Sequence, residues 1–352
     1  MNPAEAVLPV TLRTDADAAR VAAYVRAHAG GTPFHLPAWI DAIEAATGHR
    51  ATMLVAERGG RIAGVLPLTA VKSMLFGKAL VSSGFAVGGG VLADDGAVQA
   101  ALVEAAWDIA GKGRFPSLEL RGGPLPEGEG WIHKLESYAG FVRPIEADDD
   151  AQLKAVPRKQ RAEVRKALDT GMTVTVGRGA EDRRAHYAVY AESVRNLGTP
   201  VFPKKLFAAV LDAFGEDADI LTVHHDGQPV ASVLSLYHNG TVMPYWGGGT
   251  FGARALRANE FMYFSLMRHA RERGCAAFDF GRSKPGTGAF SYKKNWGFDP
   301  QPLGYAIRTA DGAVPREVNP LNPKYQAKIK AWQKLPLWLA NRLGPPIARG
   351  LG

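Results

Sequence analysis

The stretch FDFGRSKPGTGAFSYKKNWGF, residues 278–298, decides how the rest of the chain is interpreted. Phe278, Asp279 and Phe280 alternate apolar and acidic side chains as a buried strand does, and Gly281 then breaks the pattern. The polar residues that follow are therefore expected at the carboxyl end of a strand, where α/β sheets place their sites. A basic, glycine-rich loop suits a polyanion, but the same composition is typical of a solvated connection.

This loop supplies most of the candidate binding residues. Glycines on either side of Thr287 let the backbone approach a ligand closely. Two lysines follow on a predicted short helix that ends at Trp296 and Gly297. The loop residues predicted to bind substrate are Ser283, Lys284, Gly286, Thr287, Gly288 and Lys294.

Two parts of the stretch carry a resemblance. FGRS at 280–283, followed by YKKNWG at 292–297, resembles the F-K-x-x-F-G signature near the end of FemAB-like acyltransferases. These are the peptidoglycan-bridge aminoacyltransferases and their relatives in the GNAT superfamily. The fuller run, GRSKPGTGAF and then KKNWGF, is most similar to FemAB-related proteins of exosortase (PEP-CTERM) and exopolysaccharide systems. The resemblance extends over most of residues 30–310.

Length and composition indicate the number of domains, the class of protein and the charge of its surface. The 352 residues suffice for two domains, and an apolar share of 46% with a charged share of 22% is ordinary for a globular protein. A net charge of +8 indicates a surface that attracts anions, whether nucleic acid, nucleotide-linked sugars or anionic lipid.

Cysteine and targeting signals indicate a compartment. The single cysteine, Cys275, excludes an intramolecular disulfide and is interpreted as a buried, inert thiol. The first residues lack the basic start and long apolar core of a secretory signal, and no run of about 18 apolar residues is present. The histidines show no H-E-x-x-H pattern, so no metal site is predicted. We therefore expect a cytoplasmic protein with no tightly bound cofactor.

The two halves of the chain repeat one order of elements. Each is predicted as strand, helix, helix, hairpin, strand with a triple glycine, helix, strand, loop and strand, with the glycines at 88–90 and 247–249. The first triple glycine lies in a strand predicted at 80–91, and the closing strands of the two halves are predicted at 141–145 and 303–308. IAGVLPL at 62–68 also matches VASVLSL at 230–236. A duplicated, mixed α/β fold is therefore predicted.

Together with the resemblance, the repeat implies two tandem GNAT-like acyltransferase domains, at 1–150 and 151–310, with the active site in the second. Residues 311–352 form a basic, amphipathic helical tail in which Tyr325, Ile329 and Trp338 lie among lysines and arginines. The family implies that this tail packs back on the first domain. The alternative is peripheral contact with anionic lipid of the inner membrane.

Acyl transfer to an amine requires a polarised donor carbonyl, a deprotonated amine and a place for the phosphate-rich carrier. GNAT folds meet the first need where two strands splay apart, here predicted at 242–246 and 277–280. The Q/R-x-x-G-x-G/A loop usual in coenzyme A-binding domains is missing from residues 249–256, which disfavours coenzyme A without excluding it. The acyl donor is therefore left as aminoacyl-tRNA or acyl-CoA.

Four residues are predicted to be catalytic. Lys293 matches the family's motif lysine, which implies that it holds a substrate phosphate and supports the oxyanion, and Arg282 shares this work. Asp279 is interpreted as a buried structural acid paired with Arg282 or as a general base with a raised pKa, the structural role being favoured. Tyr245 is predicted to position an acceptor sugar or donate to the carbonyl, unless it is a core residue.

Further binding residues lie away from the loop. Trp246 and Asn259 are predicted to line the other side of the cleft, and His35, in PFHLPAW, to reach the cleft between the domains or to be a core histidine. The helix PRKQRAEVRKALDTG resembles a basic segment of the family. Its arginines recur at i, i+3 and i+7 and are predicted to contact the phosphates of tRNA or of a sugar nucleotide, a solvated face being the alternative: Arg158, Arg161 and Arg165.

The sequence and the resemblance together predict a cytoplasmic FemAB-like N-acyltransferase that acts on a cell-envelope or exopolysaccharide precursor. The expected partners are a phosphorylated or lipid-linked sugar precursor, tRNA and the inner-membrane surface, and DNA is not expected. Two alternatives are an acyl-CoA-dependent GNAT N-acetyltransferase and a non-catalytic binding or assembly factor of a polysaccharide or protein-sorting system.

Overall fold

The computed structural model of the chain describes residues 9–314 and 323–352. These residues group into two compact units. The first takes its described residues from 1–135, 304–317 and 352, and the second from 136–303 and 318–351. None of the described helices is long and apolar enough to cross a membrane.

The first part of the chain alternates short helices with strands. Its elements are β1 (Val10–Arg13), α1 (Ala18–Ala27), α2 (Pro37–Thr47), β2 (Ala51–Arg58), β3 (Arg61–Ser73), β4 (Gly77–Ser82), β5 (Leu92–Ala93), α3 (Gly96–Lys112), β6 (Ser117–Arg121) and β7 (Trp131–Lys134).

The remainder repeats the pattern and adds a helical tail. Its elements are β8 (Ala139–Gly140), β9 (Val142–Pro144), α4 (Asp149–Ala155), α5 (Arg158–Leu168), β10 (Thr173–Gly177), α6 (Ala180–Leu197), α7 (Lys204–Phe214), β11 (Ala218–His225), β12 (Gln228–His238), β13 (Thr241–Gly249), α8 (Ala253–Leu256), α9 (Ala258–Glu272), β14 (Ala277–Asp279), α10 (Gly288–Asn295), β15 (Gln301–Pro302), β16 (Tyr305–Thr309), α11 (Pro323–Gln333) and α12 (Leu337–Ala348).

The sheets of the two units share one topology. The first has the order β1-β2-β3-β4-β6-β16-β7, with β5 paired to β3, and the second has the order β10-β11-β12-β13-β14-β9. In each, one pair of neighbours is parallel, β4 with β6 and β13 with β14, and the chain joins them through α3 or α9. A β-bulge interrupts each hairpin, after Ala56 and after Val223. The predicted duplication of a mixed α/β fold is confirmed.

Each sheet takes a strand from the neighbouring half of the chain. β16 pairs with β6, with Ala306 opposite Leu120, and β9 pairs with β14, with Arg143 opposite Phe278. The sequence predicted that a strand at 141–145 closes the first half and that a strand at 303–308 belongs to the second. Both strands exist but lie in the opposite sheets, because an apolar pattern predicts a strand without specifying its distant partner.

The two triple glycines differ in structure. Residues 247–249 continue β13 beyond Trp246, where the predicted strand ends, whereas β4 ends at Ser82 and residues 88–90 lie in a loop. Two buried hydrogen bonds fix this loop: Trp39 Nε1 donates to Gly84 O (3.1 Å), and Ser83 Oγ donates to Phe34 O (2.7 Å). The predicted strand at 80–91 is therefore wrong beyond Ser82.

The helical tail packs on α6. Gln333 Nε2 donates to Asn196 O at 3.0 Å, and Arg195 Nη1 donates to Gln333 O at 3.3 Å. α11 and α12 both contact α6 and belong to the second unit, whereas the last residue, Gly352, groups with the first. The packing of this tail on the first domain, which the resemblance implies, stays a prediction. Residues 315–322 of the predicted tail, and the side chain of Tyr325, lie outside the described part.

Candidate active site

The candidate site lies where β13 and β14 part. The strands pair in parallel at Thr241 with Ala277 and at Val242 with Phe278. Beyond these residues β13 continues along β12 to Gly249, whereas β14 pairs on its other edge with β9. Within the described residues, the edge of β13 beyond Val242 therefore faces a gap. This is the strand pair for which the sequence predicted a splay.

A β-bulge lies in β13 beside the gap. Trp246 is opposite Leu234 and Pro244 is opposite Ser235, so Tyr245 is the extra residue of the bulge. The ring of Tyr245 contacts that of Trp246, with centroids 4.8 Å apart. Tyr245 thus lies at the start of the gap, half-buried, as a bulge residue rather than a regular core residue.

Trp246 belongs to the core and not to the predicted cleft. Its side chain is 5% exposed, and its ring packs edge-on against Phe207 at 5.0 Å and Phe202 at 6.2 Å. The prediction that Trp246 binds substrate is not supported by this position, because these aromatic neighbours enclose the ring.

A cavity of about 840 Å³ opens at the gap, and we call it the transfer cavity. It is within the size range of small-molecule sites. Its walls come from α6, the end of β13, α8, α9 and α10. The lining residues are Ser193, Asn196, Leu197, Gly247, Gly248, Gly249, Thr250, Phe251, Ala253, Arg254, Ala255, Asn259, Tyr263, Phe280, Gly288, Ala289, Tyr292 and Lys293. Of the residues predicted from sequence, Asn259, Gly288 and Lys293 meet here.

The triple glycine of β13 lets the strand pass directly beneath the helices. A Cβ atom at Gly248 would lie within 2.6 Å of Ser193 Cβ, and one at Gly249 would lie 2.7 Å from Ala253 Cβ. A side chain at either position would therefore clash with α6 or α8. Because glycine has no side chain, the backbone of β13 itself lines the cavity.

Lys293 brings a cation to the cavity. It lies on α10, and its Nζ donates hydrogen bonds to Gly281 O at 3.1 Å and to Arg282 O at 3.0 Å. The ammonium also lies 5.3 Å from the ring centroid of Phe141 and 5.8 Å from that of Phe280. Aromatic faces and carbonyl oxygens both stabilise a positive charge, which fixes the group in place.

The surroundings shift the pKa of Lys293. Burial lowers it from 10.5 to about 8, the carboxylate of Asp279 acts in the opposite direction, and the Arg282 guanidinium lowers it further. The ammonium therefore predominates at pH 7 but is lost under mildly alkaline conditions.

Asp279 acts on the site through its neighbours. Its Oδ1 accepts a hydrogen bond from the backbone N–H of Gly281 at 2.8 Å. Burial raises the pKa of Asp279, whereas this hydrogen bond and the Lys293 ammonium lower it. Asp279 is not among the residues that line the transfer cavity. The neighbours of Asp279 are thus the backbone N–H of Gly281 and the ammonium of Lys293, whereas the structural role favoured from the sequence pairs it with Arg282.

The loop after β14 is built as a structural support. Ser283 is 5% exposed, and its N–H and C=O pair with those of Ala139 at 2.8 and 2.9 Å. Thr287 caps α10, since its Oγ1 accepts from Phe290 N at 3.3 Å and donates to Lys284 O at 2.7 Å. These bonds hold the loop against its neighbours. One predicted catalytic residue, Arg282, lies outside the cavity lining, as do five predicted binding residues: Ser283, Lys284, Gly286, Thr287 and Lys294.

Arg282 lies over an aromatic ring. Its guanidinium is 4.5 Å from the ring centroid of Tyr138. Because its backbone carbonyl accepts the hydrogen bond from Lys293, Arg282 contributes to the site through its main chain and through its charge.

The predicted cationic face of α5 is divided. Arg161 donates from Nε to Val156 O at 3.0 Å and from Nη2 to Lys154 O at 2.7 Å, so it satisfies carbonyls at the end of α4. Arg158 and Arg165 are exposed. None of the three arginines lines the transfer cavity. For Arg161 the structure shows a helix-capping role.

His35 is a buried residue of the first unit. It is 3% exposed, its Nδ1 lies 3.2 Å from Thr32 N, and its Nε2 lies 3.1 Å from Gly90 O. A neutral ring with the proton on Nε2 satisfies both partners. This position supports the core alternative weighed from the sequence, because both ring nitrogens are used to hold the loop around the first triple glycine.

Sequence reasoning missed the wall that α6 contributes. Ser193, Asn196 and Leu197 enter the cavity through contacts between distant parts of the chain. Leu197 and Phe251 are 69% and 84% exposed at its rim. Phe251 lies two residues after Gly249, and a large apolar residue in such a turn was a signal that the sequence offered.

Two tyrosines add to the aromatic wall. The ring centroid of Tyr263 lies 4.7 Å from that of Phe280 and 6.0 Å from that of Tyr292. Burial raises the pKa of Tyr263 to about 12 and raises that of Tyr292 well above its ordinary value, so both hydroxyls remain protonated at neutral pH.

The segment that forms the transfer cavity is similar in sequence to acetyltransferase domains. Residues 155–294, which include every lining residue of the transfer cavity, match the family model described as an acetyltransferase (GNAT) domain. The lipid II:glycine glycyltransferase of Staphylococcus saprophyticus is 22% identical over 222 residues, which cover 59% of this chain and 51% of that protein. The chain therefore spans about half the length of this curated relative.

Solved structures resemble most of the chain. FemX aligns with a TM-score of 0.69 and 18% identity over 90% of this chain and 99% of its own. A tandem GNAT protein from the clavulanic acid biosynthesis pathway aligns with a TM-score of 0.53 and 14% identity, over 87% of this chain and 100% of its own. L-PGS from Bacillus licheniformis aligns with a TM-score of 0.51 and 12% identity, over 85% of this chain and 98% of its own. The chain thus folds as two tandem GNAT-like domains with a helical tail, and it is similar to FemAB-like proteins.

Proposed function

We propose that this protein is a FemAB-like N-acyltransferase that transfers an aminoacyl group to an amine of a cell-envelope precursor. The observation that carries the proposal is the position of Lys293 in a cavity beside parted strands, within the segment matched by an acetyltransferase model. Among the described residues Nζ has two carbonyl partners, so one of the three N–H donors of the ammonium remains for a ligand.

The proposed reaction forms an amide. The acceptor amine, after losing a proton, attacks the donor carbonyl carbon; a C–N bond forms, the ester C–O bond breaks, and the carrier leaves with a free hydroxyl. Negative charge develops on the carbonyl oxygen during the attack. A fixed cation in a site that excludes water stabilises this charge strongly, and Lys293 is the residue proposed to supply it.

The proposed donor is an aminoacyl-tRNA. The turn between β13 and α9, where a coenzyme A-binding domain usually carries Q/R-x-x-G-x-G/A, reads GTFGARAL and contains the short helix α8. The name of the staphylococcal relative, a glycyltransferase, supports an amino acid as the group transferred. Acyl-CoA is the competing donor, favoured by the acetyltransferase description of the matched domain.

The proposed acceptor is a lipid-linked, peptidoglycan-type precursor. Lipid II is named for the staphylococcal relative, and the exposed apolar side chains of Leu197 and Phe251 at the cavity rim suit an acceptor presented at a lipid surface. An exopolysaccharide precursor, favoured by the sequence resemblance alone, is the second acceptor to test.

We also propose that the protein works in the cytoplasm and that its tail touches the anionic inner membrane. Residues 323–352 contain six lysines and arginines and no acidic residue. Trp338 is 69% exposed and Leu343 is 42% exposed on α12. A basic helix with exposed tryptophan and leucine suits the interface of an anionic bilayer.

The function is tested by incubating the protein with a lipid-linked disaccharide-pentapeptide and either glycyl-tRNA or acetyl-CoA. Mass spectrometry of the acceptor should show a glycyl adduct with the first donor. An acetyl adduct alone would make the protein an acyl-CoA-dependent acetyltransferase. Retention of the acceptor without any adduct would make it a binding factor. The same assay with an exopolysaccharide precursor decides between the acceptors.

Membrane contact is tested by flotation with vesicles of phosphatidylglycerol and phosphatidylcholine. Trp338→Ser combined with Leu343→Ser should reduce the fraction bound to anionic vesicles. Leu135→Ser, at a side chain that is 53% exposed in the first unit, is the control and should bind normally. Equal binding of all variants would reject the tail as the contact.

A further inference from the structure

The second unit has another cavity, of about 540 Å³, formed by α6 and α7. It shares no lining residue with the transfer cavity. We call it the basic pocket, and its lining residues are Arg183, Arg184, Tyr187, Lys204, Lys205, Phe207 and Ala208. Four of these are cationic and none is acidic, so the pocket concentrates positive charge.

Much of this charge is not neutralised. Arg183 Nη2 lies 2.5 Å from Asp212 Oδ1, which forms an ion pair. No acidic group among the described residues forms an ion pair with Arg184, Lys204 or Lys205. Three like charges gathered around one concavity repel each other, and an anion in the pocket would relieve that repulsion.

The tyrosine of the pocket adds a hydrogen-bond donor. Tyr187 is 8% exposed and lines the pocket, and its hydroxyl has no hydrogen-bond partner among the residues that the structure describes. The ammonium of Lys204 lies 4.9 Å from its ring centroid. Burial raises the pKa of Tyr187, so the hydroxyl stays protonated and can donate. A phosphate oxygen in the pocket could accept the hydrogen bond of this hydroxyl.

The first turn of α7 also favours an anionic ligand. Lys204 and Lys205 occupy its first turn, which contains no acidic residue, and no side chain caps the helix. Cations at this end oppose the helix dipole, whereas an anion there is stabilised by it. The start of α7, which has no side-chain cap, and its two lysines thus both favour an anionic ligand.

We propose that the basic pocket binds the diphosphate group of a small ligand. Arg184, Lys204 and Lys205 would neutralise its charge, and the Tyr187 hydroxyl would donate to a phosphate oxygen. Phosphate suits the site because its several oxygens accept bonds from all these donors at once. This goes beyond the proposed function, since it assigns a ligand to a pocket separate from the transfer cavity. A sugar nucleotide and a lipid-linked sugar both carry this group.

The test is isothermal titration calorimetry of the full chain at 150 mM salt, a concentration that screens weak surface attraction. The probes are inorganic pyrophosphate, uridine diphosphate, and farnesyl diphosphate in detergent micelles. Arg184→Gln combined with Lys205→Gln should weaken binding of each bound probe about tenfold or more, because charge-assisted hydrogen bonds are lost. Lys78→Gln combined with Lys112→Gln removes the same charge from exposed lysines elsewhere and should leave binding unchanged.

The outcomes are separable from those of the transfer assay. Tighter binding of uridine diphosphate identifies a nucleotide as the source of the diphosphate, and tighter binding of farnesyl diphosphate identifies a lipid. Equal weakening of probe binding in both double variants would show that only the net charge of the protein matters, which would overturn the proposal. Wild-type protein that binds tRNA but none of the three probes would overturn it as well. Loss of transfer activity has no bearing on these results.

Discussion

The Lys293 ammonium donates a hydrogen bond to the carbonyl oxygen of Gly281 at 3.1 Å, which joins α10 to the loop that leaves β14. Gly281 has a φ of 67°, a left-handed conformation that costs glycine little. In the sequence, Gly281 breaks a strand pattern and Lys293 matches the lysine of the motif. In the structure these two residues contact each other. That contact fixes where the positive charge stands in the cavity.

Lys293→Ala is predicted to lower kcat for acyl transfer by about a hundredfold or more, because the fixed charge beside the donor carbonyl is lost. Lys294→Ala is the matched control: the neighbouring side chain is exposed and lies outside the cavity, so its rate should stay near that of the wild type. Steady-state kinetics and circular dichroism on both variants check this. Equal rates in a folded Lys293→Ala protein would remove Lys293 from the mechanism.

The rate is predicted to fall as the pH rises through about 8, because the Lys293 ammonium loses its proton there. Asp279→Asn removes the carboxylate that raises this pKa, so the alkaline limb of the profile should move to lower pH. A pH profile of kcat/KM for both proteins, with NMR titration of lysine Cε resonances, measures the shift. A limb that stays in place in the variant would separate Asp279 from the charge state of Lys293.

Gly248→Ala is predicted to destabilise the protein by about 1–3 kcal/mol, since the new methyl group would clash with Ser193 on α6. The double variant with Ser193→Gly should recover much of the loss, because it removes the clashing atoms. Gly288→Ala is the control: this glycine also lines the cavity, but a Cβ there meets nothing within 4 Å. Urea unfolding gives the free energies. Equal losses in the two alanine variants would contradict close packing as the reason for glycine at 248.

The sequence was sufficient where the signal is local. Alternating apolar residues, turn glycines and the repeated order of elements predicted the strands and the duplication. The motif predicted Lys293 as a site residue, and Lys293 lines the transfer cavity. The packing partners were not predictable in the same way. β9 and β16 pair with strands far along the chain, and Ser193 reaches the cavity only because α6 crosses β13 at Gly248.

The contacts of individual side chains were hard to predict for a related physical reason. A basic residue in a loop or on a helix has the same sequence pattern whether it binds a ligand or a carbonyl of its own chain. Arg161 is an example, because its guanidinium satisfies carbonyls at the end of α4. An aromatic residue on a strand is ambiguous in the same way. Trp246 has the pattern of a cleft residue or of a core residue, and its neighbours Phe207 on α7 and Phe202 enclose its ring.

His35→Leu is predicted to reduce the free energy of unfolding by about 1–3 kcal/mol without changing KM for either substrate. The substitution leaves the N–H of Thr32 and the carbonyl of Gly90 without their ring partners in a buried place, and unpaired polar groups of this kind carry that cost. Urea unfolding and steady-state kinetics below the melting temperature separate the two effects. Normal stability combined with a raised KM would instead assign His35 to substrate binding, the role first suggested by its sequence motif.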